Sequence, residues 1–107
     1  MLKDLKYSRL LDFYAPMLTE KQREILSFYY NDDLSLSEIS EIIGISRQGV
    51  MDIIRRGEAQ LNNFDSKLNL SSIYNEVDKA YKVLNDEKCD LTDRVATASD
   101  IISKIRV

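Results

Sequence analysis

Apolar side chains three and four residues apart recur along almost all of this 107-residue chain, and only three glycines and one proline interrupt them. That spacing lays one continuous stripe down a helix, because residues three and four apart share a helical face. No stretch of useful length alternates with a period of two, and so few glycines and prolines leave little material for hairpins. The chain therefore reads as all-α.

Start and stop signals divide it. In the first segment Leu10, Leu11, Phe13, Tyr14, Met17 and Leu18 gather on one side, and Pro16 disfavours helix at Ala15. Thr19 followed by Gln22 is a capping-box pattern and opens a helix over about Glu20–Tyr30, with Ile25, Leu26 and Tyr29 inward. Asn31, Asp32 and Asp33 favour turns and end it. Ser35 with Glu38 repeats the capping box before a short helix that buries Leu36, Ile39, Ile42 and Ile43. Gly44 stands where a left-handed cap is wanted, Ile45 plugs the core, and Ser46 caps the next helix. That helix carries Val50, Ile53, Ile54, Gly57 and Leu61 on one stripe and extends towards or past Phe64. Two more amphipathic helices are expected over about Ser71–Leu84 and Leu91–Ile105. Their seams are Ile73, Val77, Tyr81, Leu84 and Leu91, Val95, Ala98, Ile102, Ile105. At this length one domain over 1–107 is expected, with a helix-turn-helix core at 19–62 and C-terminal helices at 71–105.

Composition excludes several functions. No apolar run approaches the ~20 residues of a membrane span, so no membrane insertion is expected. The opening MLKDLKYSRLLDFY scatters charges among its apolar positions, unlike a signal peptide. There is no histidine and a single cysteine, Cys89, so neither a zinc site nor an internal disulfide is expected. Cys89 lies in NDEKCD, where carboxylates disfavour a thiolate. With no glycine-rich phosphate loop and no nucleophile beside an evident base, no catalytic residue, metal or cofactor is called for, and the chain does not read as an enzyme. The setting reads as intracellular. The net charge is −3 and the acidity is evenly spread, with five basic and six acidic side chains in 1–33, three and four in 34–62, and seven and eight in 63–107. Any contact with nucleic acid must come from a local cluster rather than from bulk attraction.

One such cluster exists. A capped short helix, a glycine turn and a serine-capped second helix form the helix-turn-helix pattern in SEISEIIGISRQGVMDIIRR. With the apolar stripe inward and ~100° per residue, Gln48, Asp52 and Arg55 centre the outer face. Arg47 and Met51 take one shoulder and Arg56 the other. Glutamine pairs with adenine and arginine with guanine, so Arg47, Gln48 and Arg55 are the candidates for base contact, and Arg56 suits a phosphate. Behind the Ser46 cap, the backbone N–H groups of Arg47, Gln48 and Gly49 are expected to stand free for a phosphate oxygen. Gly49 costs roughly 1 kcal/mol of helix stability against alanine; close approach to a partner and simple tolerance both account for it. Asp52 precedes Arg55 and Arg56 by three and four residues, so ordinary intrahelical ion pairs are the competing reading of this face.

The run DFYAPMLTEKQREILSFYYNDDLSLSEISEIIGISRQGVMDIIRRGE resembles the YlxM family of small bacterial proteins. The likeness rests on LTEKQR, the YYNDD turn, the SLSEI opening and the SRQ start of the second helix, with Gly49 where alanine is more usual. The same helices are more broadly similar to promoter-reading region 4 of bacterial sigma factors, a three-helix bundle of winged-helix-like type. The resemblance implies a cytoplasmic accessory of the signal recognition particle that binds the particle's RNA or modulates its GTPase or receptor. By motif position it makes Ser46, Arg47, Gln48, Gly49, Arg55 and Arg56 nucleic-acid contacts.

Three functions stay open: an RNA-linked targeting accessory, a DNA-binding transcription regulator, and a protein–protein adaptor without nucleic-acid binding. The last two seams offer more apolar surface than a small core needs, so a homodimer is expected, with residues after Leu70 at its interface.

Overall fold

The computed structural model describes residues 3–105, and their regular structure is helical throughout. Helix α1 (Leu5–Tyr14) leads through a single 3-10 turn, Ala15–Met17, into α2 (Glu20–Tyr30). Then come α3 (Leu36–Ile43), α4 (Arg47–Leu68), α5 (Leu70–Leu84) and α6 (Leu91–Ser103). Among the described residues there is no strand, so the helix-turn-helix carries no wing. None of these helices is long and apolar enough to cross a membrane. Contacts divide the chain into two compact units, with the boundary between Lys67 and Leu68.

The expected boundaries form for the expected reasons. Thr19 Oγ1 accepts from the Gln22 N–H while the Gln22 side chain accepts from the Thr19 N–H, and Ser35 and Glu38 close a second reciprocal box. Together these satisfy donors that helix starts otherwise leave open. Pro16 stands second in the 3-10 turn, Ala15–Met17, that ends the first segment. Helix α4 runs unbroken for 22 residues, past Phe64.

In the first unit the core comprises Leu10, Leu11, Tyr14 and Leu18 against Ile25, Leu26, Ile39, Val50, Ile54 and Leu61. Each buried aliphatic side chain contributes about 1.5–3 kcal/mol relative to exposure. Ile45 packs on the edge of this cluster, as do Phe13, Tyr29, Leu36, Ile43 and Ile53. Two expectations fail. Met17 and Ile42 are about half exposed. Ile42 lies ~60° round α3 from Ile39 on the side opposite Leu36 and Ile43, so it clears the core.

Polar contacts then fix α4. Tyr14 Oη donates to Asp65 Oδ1 at 2.7 Å, Asn62 Nδ2 donates to Tyr7 Oη at 2.9 Å, and Tyr30 Oη donates to Glu58 Oε2. Residues 58, 62 and 65 follow a four-then-three spacing, so three tyrosines grip a single face of α4. Burial first, then the Glu58 carboxylate, pushes the Tyr30 phenol well above its ordinary range. Lys3 closes the turn after α2. Its Nζ donates to the carbonyls of Tyr29 at 2.8 Å and Leu34 at 2.6 Å, and pairs with Asp33 at 3.3 Å. It also lies 3.9 Å from the centre of the Tyr29 ring.

In the second unit α5 and α6 pack on each other with Ala80 and Ala98 buried. Helix α6 ends at Ser103, two residues short of the expected Ile105; Ser103 Oγ turns back onto the Asp100 carbonyl. Cys89, in the connecting loop, is exposed, and its thiol contacts Asp86 Oδ2 at 3.4 Å. That hydrogen bond to a carboxylate raises the thiol pKa and keeps it protonated.

Candidate nucleic-acid interface

The turn between α3 and α4 is wired by two serines. Gly44 adopts φ +83°, the left-handed conformation that ends α3, and its N–H bonds the Ser40 carbonyl. Ser40 Oγ donates to the Ile45 carbonyl, and Ser46 Oγ accepts the Gly49 N–H at 3.0 Å. This corrects one expectation. The Gly49 N–H is not free for a phosphate, because the Ser46 cap uses it. Gly49 is also half-buried, and a Cβ there would meet Ser46 Oγ at 3.3 Å and Ile45 Cδ1 at 3.5 Å. Its missing side chain therefore faces the turn.

With the turn set, the start of α4 is aimed outward. Arg47, Gln48, Asp52, Arg55 and Arg56 are all exposed. Arg47, Gln48 and Arg55 come together around an open groove of about 550 Å³, with Leu36 and Met51 completing its lining. Arg47 Nη1 lies 3.5 Å from Ser37 Oγ, on the helix before it. Gln48 Nε2 donates to Asp52 Oδ1 at 3.1 Å, so the glutamine is tethered within its own helix. Among the described residues, no ion pair joins Asp52 to Arg55 or Arg56. The ordinary intrahelical pairs weighed against this face are therefore absent, and both guanidinium groups remain available to an anion.

Of the residues singled out from the sequence, Arg47, Gln48 and Arg55 share the groove, while Ser46 caps and Gly49 packs. Arg56 is exposed but does not line the groove. Sequence reasoning missed Leu36 and Ser37. Leu36 sits in an apolar stripe and reads as core, and no periodic signal separates a core position from a groove wall. Among the described residues, no group of three or more acidic or thiol side chains could hold a metal ion.

The helix-turn-helix, closed by its two serines and carrying a polar outer helix, matches one family over most of the chain. The family model of UPF0122, described as "Putative helix-turn-helix protein, YlxM / p13 like", matches residues 1–102. This chain belongs to the UPF0122 family. A UPF0122 protein of Clostridium perfringens strain SM101 is 43% identical over 94 residues, covering 88% of this chain and 81% of the relative. One from Halalkalibacterium halodurans is 41% identical over 101 residues, covering 94% and 89%. One from Thermoanaerobacter sp. strain X514 is 51% identical over 77 residues, covering 68% and 66%. The family description thus names the same helix-turn-helix that α3 and α4 form.

Proposed function

We propose that this chain binds a structured RNA in the cytoplasm, as an accessory of the signal recognition particle, through the groove at the start of α4. One observation carries the RNA reading. Arg47, Gln48 and Arg55 surround a groove whose remaining lining, Leu36 and Met51, is apolar. An unstacked base suits an apolar floor, guanidinium planes stack on bases, and the arginines also reach phosphates. A-form duplex hides its major groove, so the ligand would be a loop, a bulge or a helix end. The particle itself, and with it the GTPase or receptor as further contacts, enters through the YlxM resemblance alone.

A second reading is supported by the exposure of Arg47, Gln48 and Arg55 on the outer face of the second helix. In region 4 of sigma factors, as in other helix-turn-helix proteins, such a helix enters the DNA major groove. The groove's apolar lining would then meet thymine methyl groups.

Competition separates them. Labelled particle RNA is challenged with mixed duplex DNA of equal length at two salt concentrations. The RNA reading expects the RNA to win at both. The salt slope should be shallow, each neutralised phosphate contributing about −0.7 for single strands or −0.9 for duplex DNA. Preference for one defined duplex sequence would replace this reading with the transcription regulator. Binding to neither would leave a protein adaptor.

A further inference from the structure

Helices α5 and α6 leave uncovered a set of apolar side chains that their own packing does not use. Val77, Tyr81 and Leu84 on α5 are 51%, 65% and 41% exposed, and Leu91, Val95 and Ile102 on α6 are 62%, 53% and 53% exposed. The α5 row steps by four and three and the α6 row by four and seven, spacings that keep each row on one helical face, as helices that interlock along a bundle require. Their direction follows from the alanines buried between the helices, Ala80 and Ala98. Counted at 100° per residue, the α5 row is centred roughly 70° round from Ala80 and the α6 row roughly 40° round from Ala98, in the same rotational sense. Because a short loop joins the helices antiparallel, equal senses of rotation turn both rows to the same face of the hairpin. Together the six side chains expose roughly 600 Å², about what each partner contributes at the lower end of stable interfaces and more than scattered surface residues provide.

Charge selects the occupant. Three ion pairs lie within these helices, Lys79 with Glu76 at 3.0 Å, Lys82 with Asp78 at 2.9 Å and Lys104 with Asp100 at 3.1 Å. From Leu68 onward the sequence holds six basic and seven acidic side chains. Such a unit neither attracts a strongly charged partner nor repels a copy of itself. An apolar row with regular spacing is also complementary to its own image, as a two-fold interface requires.

We propose that a second copy of this chain docks on this face, the two α5–α6 hairpins completing a four-helix bundle. The inference stands apart from nucleic-acid binding and does not use the α4 groove.

Sedimentation equilibrium of the full chain at tens of micromolar tests it. The unmodified protein should be a dimer, and a monomer overturns the proposal by assigning the face to a different partner. The double variant Tyr81→Glu/Val95→Asp should raise the dimer dissociation constant about 100-fold or more, since each charge would be buried at the interface. Its helical circular dichroism should not change, because both positions already face water. A folded double variant that still dimerises overturns the proposal. Should the charged variant lose helicity, Val77→Thr/Val95→Thr keeps both side-chain shapes and should weaken the dimer about tenfold; an unchanged constant overturns it equally.

Discussion

Gln48 and Asp52 are joined on the outer face of α4, the amide nitrogen of one donating to the carboxylate of the other at 3.1 Å. The pair places a negative charge among Arg47, Arg55 and Arg56, where it opposes any phosphate. Asp52→Asn keeps an acceptor for Gln48 and removes that charge. Nucleic-acid affinity should rise about three- to tenfold at low salt, and the gain should shrink as salt is added. Filter binding at two ionic strengths measures both.

Arg47→Ala and Arg55→Ala each remove one exposed guanidinium from the groove. Each should weaken binding by about 1–3 kcal/mol if it contacts a base, with an altered sequence preference. Thermal melting of either variant should match the unmodified chain, because neither side chain belongs to the core. Unchanged binding by the double variant would rule this groove out as the site.

At Gly57 the close crossing of α2 and α4 leaves no room for a side chain. A Cβ there would lie 2.5 Å from Leu26 Cδ1 and 3.2 Å from Leu26 Cγ, and Leu26 is fully buried. Gly57→Ala gains roughly 1 kcal/mol in helix propensity but overpacks the core at a cost of about 1–3 kcal/mol. Net destabilisation is expected in chemical denaturation. Adding Leu26→Val should recover part of it, and simple additivity of the two changes would contradict the collision.

The Tyr30 phenol titrates above its ordinary range because burial, and then Glu58, disfavour the phenolate. A raised folded pKa gives stability that is complete below the unfolded value of ~10 and is lost as pH climbs through the folded one. Alkaline unfolding should therefore set in above pH ~10, with Tyr30 ionising later than a free tyrosine by ultraviolet titration. Tyr30→Phe should flatten this limb and cost about 1 kcal/mol near neutrality, since the pair is only partly shielded from water.

Glu38 behaves in the opposite sense. Its hydrogen bonds with the Ser35 backbone and side chain hold its carboxyl below the usual range. A depressed folded pKa contributes stability above the unfolded value of ~4.3 that is lost as pH falls through the folded one. Glu38→Gln keeps the capping box without the charge, so its acid limb should be flatter. In a Ser35→Ala variant the Glu38 carboxyl, followed by NMR, should titrate closer to its ordinary value.

Local chemistry made the helix-turn-helix readable. Thr19, Ser35, Gly44 and Ser46 each act on groups within five residues, and each does what its spacing predicts. The row of tyrosines on α4 was not readable, because Tyr7 meets Asn62 and Tyr14 meets Asp65 only after the helices cross. Lys3 was hidden for the same reason, its acceptors lying 26 and 31 residues away. At the candidate site periodicity placed the polar residues on the outer face but could not show that Gln48 chooses Asp52 over solvent. Leu36 packs on the core as its stripe predicts, but a stripe does not record that the same side chain also borders a groove.

The two serine bonds across the α3–α4 turn bear on how recognition would feel calorimetrically. Ser40 fixes the carbonyl of Ile45, and Ser46 fixes the first turn of α4, so the helix pair meets a ligand already in shape. Little of the free energy of association is then spent on folding the protein, and its free and bound backbones should superpose closely. The entropy of ordering falls on the nucleic acid, so a stiffer ligand of the same sequence should bind more tightly to an unchanged protein.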